Sequence, residues 1–272
     1  MFVFSRGVKM RHTQCQTNGS QMASDARIVV ITGASRGIGA ATARLAARRG
    51  YAVCLNYRLN RIAAEGVVAE IEANGGRAIA VAADISIEAD VVRLFETCDQ
   101  RLGRLTALVN NAGILETQAR VENVDVARLH RIFATNVYGA FIGAREAVRR
   151  MSKKSGGAGG AIVNVSSAAS RLGAPGEYVD YAASKGAVDT FTVGLAKEVA
   201  GEGIRVNAVR AGYIYTEMHA SGGEPDRVER VREFVPMKRG GQADEVAYAI
   251  LWLLSDEASY TTGSFVDVTG GR

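Results

Sequence analysis

Cysteine is scarce in this 272-residue chain. Cys15, Cys54 and Cys98 are odd in number and unrelated in spacing, which excludes a disulfide framework and a zinc motif. That usage fits a reducing, cytoplasmic setting. The three histidines show no ligand spacing, so no metal is expected. No apolar run approaches the roughly 18 residues needed to cross a membrane, and no membrane partner is expected. Proline is as rare as cysteine, at three residues against 31 glycines, which suits tight turns between regular elements. No strict glycine period supports a collagen-like reading. There is also no basic stripe. The formal net charge is +5, of which Arg6, Lys9 and Arg11 contribute three in an acid-free stretch over residues 1–24. The remainder is nearly balanced, so nucleic acid is not an expected partner. Residues 1–24 lack the long apolar stretch of a secretory signal. They are read as a disordered extension, or an upstream start preceding Met22, and residues 25–272 as a single domain.

From Arg27 the pattern becomes regular. Arg27–Thr32 is a β-branched run ending at Gly33, as a buried strand entering a tight turn should be. A helix is predicted over Ile38–Arg49, closed by Gly50. Strands at Tyr51–Asn56, Ala78–Ala82 and Ala107–Asn110 alternate with helices at Arg61–Ala73 and from about Ser86 or Ile87 to Arg101. A long helix is predicted over Val126–Met151, with Leu129, Ile132, Phe133, Val137, Phe141, Ala144 and Val148 at helical spacing. Then come a strand at Ala161–Val165, a helix at Tyr181–Ala200, a strand at Ile204–Val209, a helix at Ala243–Leu254 and a final strand at Ser264–Val268. Such alternation predicts an α/β fold: a doubly wound, Rossmann-type parallel sheet of about seven strands between two helical layers.

Between the first strand and helix lies Thr32-Gly33-Ala34-Ser35-Arg36-Gly37-Ile38-Gly39. Glycines there permit positive φ and let backbone N–H groups approach a pyrophosphate, while the helix N-terminus adds partial positive charge. The spacing Gly-x-x-x-Gly-x-Gly differs from the general dinucleotide fingerprint, and a plain turn is the competing reading. Two more motifs follow in order, Asn110-Asn111-Ala112-Gly113 and Tyr181-Ala182-Ala183-Ser184-Lys185. Together the three resemble the short-chain dehydrogenase/reductase family over about residues 26–272.

That resemblance implies cofactor contacts at Gly33, Ser35, Arg36, Gly37, Ile38 and Gly39; at Asn56, Tyr57 and Arg58; at Asp84 and Ile85; and at Asn111, Ala112 and Gly113. It extends them to Tyr181, Lys185, Gly212, Ile214 and Thr216. Asp84 taken alone reads almost as well as a helix cap. An NAD-selective protein of this kind places an acid near the end of the second strand. Here Asn56-Tyr57-Arg58 stands instead, and Arg36 sits in the glycine turn. Guanidinium groups suit a 2′-phosphate, so NADP(H) is expected to be preferred, with use of NAD(H) left open. Either arginine alone also reads as a solvated surface residue.

Hydride exchange at carbon needs a proton exchanged at oxygen, and a free tyrosine has a pKa of about 10. A lysine four residues on lies one helical turn away on the same face, and positive charge there favours phenolate. Tyr181 and Lys185 satisfy this, whereas Tyr178 has Ala182 four positions on. The resemblance assigns Ser167, fourteen residues before Tyr181, to the substrate oxygen, with Ser166 as the neighbouring alternative. It assigns Asn136 to a water-held proton path to Lys185, distorting the long helix. The family's Pro-Gly after the sixth strand is replaced by Ala211-Gly212, which is expected to loosen that turn. Met218–Phe234 is the expected substrate lid. Its wording, with Gly176–Asp180, resembles the sugar (glucose) dehydrogenase-like branch, and a 3-oxoacyl carrier-protein reductase is the nearest enzymatic alternative. The expected partner is a small carbonyl or alcohol substrate. A catalytically silent NADP(H)-binding sensor or scaffold is the reading from another class. The resemblance also implies a homotetramer or homodimer built through the long helices and the C-terminal region.

Overall fold

The computed structural model describes residues 27–272; the expected extension over residues 1–24 lies outside them. Seven strands form one parallel sheet: β1 (Arg27–Ile31), β2 (Tyr51–Tyr57), β3 (Arg77–Ala82), β4 (Ala107–Asn110), β5 (Gly160–Ser167), β6 (Ile204–Ala211) and β7 (Phe265–Val268). Their spatial order is β3-β2-β1-β4-β5-β6-β7, all neighbours parallel. The Rossmann-type expectation is met. Val29 and Ile31 pack on one face, Ile28 and Val30 on the other. That is why β1 reads as a continuous apolar run: a parallel sheet is buried on both sides.

On one face lie α1 (Gly37–Arg48), α2 (Arg61–Ala73) and α10 (Ala243–Leu254); on the other lie α3 (Glu88–Arg101), α5 (Gly139–Met151) and α7 (Val179–Val199). Short helices α4 (Val126–Phe133), α6 (Ala169–Leu172), α8 (Met218–Ser221) and α9 (Arg227–Val231) complete the chain order. The free cysteines Cys54 and Cys98 are both buried and belong to one core cluster. No helix among the described residues is long and apolar enough to cross a membrane.

The long helix predicted over Val126–Met151 is two α-helices joined by a π-helical turn at Ala134–Tyr138, which holds Asn136. Part of its apolar stripe is not core. Leu129 and Phe141 are exposed, as is Tyr138 outside the stripe, and Phe141 stacks on Phe191 of α7 with ring centroids 3.7 Å apart. The turn at Ala211-Gly212, where the proline is missing, is held by backbone hydrogen bonds. Ala168 N–H donates to the Ala211 carbonyl and Gly212 N–H to that of Val268, both at 2.9 Å. These two bonds tie the turn to the loop after β5 on one side and to β7 on the other.

Candidate active site

Strand order reverses direction between β1 and β4, so their C-terminal ends part and leave a crevice, the usual ligand position in an open parallel sheet. The glycine turn emerges from β1 and Asn111–Gly113 from β4. Gly33 (φ +62°) and Gly37 (φ +53°) occupy left-handed backbone that side chains disfavour. At Gly39 crowding is the reason for glycine: a methyl there would stand 2.5 Å from the Gly33 carbonyl oxygen and 2.6 Å from Asn111 Nδ2.

Polar side chains pin this turn from both neighbouring strands. Asn56 is 2% exposed, accepts from Gly33 N–H at 3.2 Å and donates to the carbonyl of Ala83 at 2.9 Å. Asn111 donates to the carbonyls of Thr32 and Gly33 at 2.9 and 3.0 Å. Thr32 Oγ1 accepts the N–H groups of Asn111 and Ala112. The turn is therefore rigid before any ligand arrives.

The resulting cleft, about 380 Å³, falls within the size range of small-molecule sites. It is lined by Gly33, Ser35, Arg36, Gly37, Ile38, Asn56, Tyr57, Arg58, Asp84, Ile85, Asn111, Ala112, Gly113 and Thr216. Three other residues implied by the resemblance have different places. Gly39 packs α1 onto the turn, and a methyl on Gly212 would meet Thr269 Cα at 2.8 Å. Ile214 is 4% exposed and belongs to the core on the α1 face. Thr216 sits against Gly37, at the glycine-turn end of the cleft.

A dinucleotide phosphate fits this cradle. The first turn of α1 has neither a capping side chain nor an acid, which leaves its N–H groups available to an anion. Arg36 and Arg58 border the same space. Arg58 lies 3.7 Å from Asp84 in a loose, solvent-screened pair. Asp84 also accepts from Ser86 N–H and Oγ at 2.9 and 2.7 Å, which closes a local turn, and the competing helix-cap reading is corrected: α3 starts at Glu88 with Ile87 at its N-cap and no side-chain cap. Arg36 Nη2 donates to Ser221 Oγ of α8 at 3.2 Å, joining the glycine turn to the expected lid.

The polar cluster at the end of β5 borders this cleft. A methyl at Gly113 would stand 3.4 Å from both Asn136 Oδ1 and Lys185 Nζ. Asn136 is 1% exposed and clamps the loop after β4, accepting from Ile114 N–H at 2.8 Å and donating to its carbonyl at 2.9 Å. It also donates to Ser184 Oγ at 3.0 Å. Lys185 is buried, donates to the Val165 carbonyl at 2.8 Å, and lies 5.7 Å from the Tyr181 ring centroid. Burial lowers its pKa to about 8, with Asp189 opposing. Tyr181, in the first turn of α7, has its hydroxyl pKa raised by burial. The nearby Ser167 hydroxyl and the charge of Arg227 pull it back, while Ser167 Oγ itself accepts from Ala169 N–H at 3.1 Å and donates to the Ala211 carbonyl at 3.5 Å. Ser166 is 2% exposed and turns toward the Lys185 carbonyl instead. Ser167, Tyr181, Lys185 and Asn136 are thus brought together, with Ser167 the serine on the tyrosine's side. Among the described residues, no group of three or more His, Cys, Asp or Glu is arranged to hold a metal.

Sequence reasoning missed three buried residues, Arg128, Asp180 and Arg227, and the half-buried His219. Arg128 and Asp180 form an ion pair beside Tyr181, and Arg227 and His219 stand in the lid. Asp180 adjoins the tyrosine motif, but its partner lies 52 residues away with no local signal.

Known proteins share this arrangement across most of the chain. Residues 33–272 match the family model described as enoyl-(acyl carrier protein) reductase. The chain is 62% identical over 245 residues to the uncharacterized oxidoreductase YgfF of Escherichia coli K12, covering 90% of this chain and 99% of that protein. It is 39% identical to a 3-oxoacyl-[acyl-carrier-protein] reductase of Synechocystis, over 90% of this chain and 96% of that protein. Glucose 1-dehydrogenase 2 of Bacillus subtilis is 35% identical, over 90% and 94%. A solved double mutant of a Serratia marcescens short-chain dehydrogenase/reductase superposes with a TM-score of 0.83 at 31% identity, over 90% of this chain and 97% of that one. With the family model covering most of its length and these relatives aligned nearly end to end, the chain belongs to the short-chain dehydrogenase/reductase family and is an NAD(P)-dependent oxidoreductase.

Proposed function

We propose that this protein is an NADP(H)-preferring enzyme that interconverts a carbonyl and a secondary alcohol, with Tyr181 as the acid–base. The observation that carries this reading is the meeting of Ser167, Tyr181, Lys185 and Asn136 beside the Gly113 wall of the cleft. A scaffold that only binds nucleotide has no need of a tyrosine and a serine gathered next to a buried lysine. Bound nicotinamide supplies or accepts the hydride. Ser167 orients the substrate oxygen, and Tyr181 gives it a proton in reduction or takes one in oxidation. Lys185 places a cation near the tyrosine ring, and Asn136 fixes the Ile114 loop against Ser184.

The test is consumption of NADPH and NADH against ketones, quinones, 3-oxoacyl thioesters and sugar lactones, run in parallel with Tyr181→Phe. Turnover that vanishes in the variant supports the reading; turnover that survives removes Tyr181 as proton donor. Nucleotide binding with no turnover across the panel favours the sensor.

The preference for NADP(H) rests on Arg36 and Arg58 at a cleft end whose β2 terminus offers no acid. Arg36→Ala is expected to weaken NADPH binding by about tenfold, the scale of one exposed charge-assisted contact, with little change for NADH. Fluorescence titration of both nucleotides checks it. Equal losses for the two would assign Arg36 to the shared pyrophosphate.

The exposed Leu129, Tyr138 and Phe141 on one side and Tyr248 and Trp252 on α10 support assembly into a homotetramer or homodimer. Light scattering is expected to give a multiple of 28.8 kDa. A monomer mass at working concentration would refute assembly.

A further inference from the structure

A buried ammonium needs either a compensating charge or a full set of acceptors. Lys185 Nζ carries three N–H donors and gives one to the Val165 carbonyl at 2.8 Å. Four residues on, about 6 Å further along the axis of α7, stands Asp189. Residues at this spacing share a helix face, and helical side chains lean toward the N-terminus, which carries the Asp189 carboxylate back over the Lys185 turn. Asp189 Oδ2 accepts from Arg210 Nε at 2.9 Å, and both side chains are largely buried. Among the described residues, Asp189 Oδ1 has no hydrogen-bond partner although it is closed to solvent. A bare, buried carboxylate oxygen is costly and calls for an explanation.

The strand register places this pair against the lysine. Ser166 of β5, Arg210 of β6 and Asp267 of β7 stand side by side, and side chains in register on parallel strands share a face. Ser166 Oγ donates to the Lys185 carbonyl at 3.4 Å while Arg210 reaches Asp189 in the next turn, so this is the face that α7 covers. From there the charges alternate outward. Arg210 lies over the Phe265 ring at 3.9 Å and stands 3.8 Å from Asp267, which pairs with the exposed Arg171 of α6 at 3.2 Å. Lys185 is the inner end of this row.

The other groups around Lys185 leave its charge to Asp189. Asn136 of the π-helical turn, Ser166 of β5 and the Tyr181 phenol carry no charge, and Arg128 of α4 is held by Asp180. An asparagine at 189 would serve Arg210 Nε equally well as an acceptor. What only a carboxylate adds is negative charge. Burial lowers the Lys185 pKa to about 8, and the charge of Asp189 works against that fall.

We propose that Asp189 is a positioning residue of the active site, its unpaired carboxylate oxygen acting as the buried counter-charge that keeps Lys185 an ammonium beside Tyr181. The catalytic value of that ammonium rests on the proposed Tyr181 chemistry; the charge itself can be measured without turnover.

The full chain labelled with carbon-13 at lysine Cε, titrated by NMR, reads the ionisation of Lys185, whose signal is assigned by its loss in Lys185→Arg. The wild-type midpoint is expected at about 8. Asp189→Asn keeps an oxygen for Arg210 and removes the charge, so it should lower the midpoint by about one pH unit, the low end for a neighbouring opposite charge. Arg210→Met removes the cation that competes for Asp189 and should raise it. A purely structural ion pair would move neither, and the exposed lysines, which serve as internal reference, should stay in place in every variant. A Lys185 midpoint unmoved in Asp189→Asn, or moved in the same direction by both substitutions, overturns the proposal. If Asp189→Asn fails to fold, Arg210→Met decides alone: a raised midpoint supports the counter-charge, and an unmoved or lowered one overturns it. Should the opposite shifts appear while turnover survives Tyr181→Phe, the counter-charge stands and the proton donor is another group. Should Tyr181→Phe abolish turnover with no shift at Lys185, the proton-donor reading stands without it.

Discussion

Tyr181→Phe is expected to lower kcat/KM by about 10²- to 10⁴-fold, the usual contribution of a positioned acid–base. The substitution removes one oxygen and leaves the ring. Lys185 keeps its bond to the Val165 carbonyl, and Asn136 keeps those to Ile114 and Ser184, so the surrounding frame survives. NADPH affinity should change by at most about tenfold, the upper value for a single lost hydrogen bond. Steady-state kinetics and nucleotide titration on the same preparation separate the two effects. A fall in kcat/KM no larger than the fall in NADPH affinity would make Tyr181 a binding group and send the search for a proton donor elsewhere. The loss should appear in both directions of reaction, because the same hydroxyl that gives the proton to an alkoxide takes it from an alcohol.

The parts of this site legible in the sequence are those encoded by local spacing. The bounds of α2, β4 and α10 are as predicted, because helical periodicity and flanking turn residues lie within one short window. Tyr181 and Lys185 share a helix face by their separation alone, and the glycine turn announces itself between a strand and a helix. The strand ends were less legible: β5 reaches Ser167 and β6 reaches Ala211, each beyond the predicted end. Both extensions come from pairing with a neighbouring strand, which apolar run length does not record. The π-helical turn at Ala134–Tyr138 does not show in the helical pattern, because one extra residue per turn leaves the apolar period intact on either side; the distortion at Asn136 was expected from the family resemblance alone.

Wholly illegible were the contacts between polar residues far apart in sequence. Arg36 reaches Ser221 across 185 residues, and Arg227 reaches Glu177 across 50. Read locally, each is an ordinary surface charge on a helix or turn. The fold converts some of them into buried structure, as it does Arg227 of the lid and Arg128 of α4. The choice between Ser166 and Ser167 was of the same kind. Adjacent strand residues point to opposite faces, and only the position of α7 decides which face holds the tyrosine.

The second large effect should come from one such pair. Arg128 of α4 binds Asp180 through two hydrogen bonds, of 2.6 and 3.2 Å, with side chains 8% and 3% exposed. Arg128 also donates to the Thr117 carbonyl at 2.6 Å, so one guanidinium joins α4, the loop after β4 and the residue directly before Tyr181. Removing one member of a buried pair leaves the other desolvated and uncompensated, at a cost of about 3–5 kcal/mol. Asp180→Asn, with the Arg128 charge retained, is therefore expected to lower Tm by roughly 6–20 °C for a protein of this size. It should also lower kcat more than it raises KM, since the first turn of α7 sets where the Tyr181 hydroxyl stands. Arg128→Met combined with Asp180→Leu removes both charges and should recover most of the lost stability, because apolar replacements for a buried pair are often neutral or better. The catalytic loss should remain, as the bidentate anchor on the residue before the tyrosine is still gone. Thermal melts and kinetics on the two single substitutions and the double form a cycle that isolates the pair. If the double variant recovers full kcat along with stability, packing alone positions Tyr181. If it recovers stability only, the ion pair is retained for where it holds the hydroxyl, at a desolvation cost that a purely structural pair would not justify.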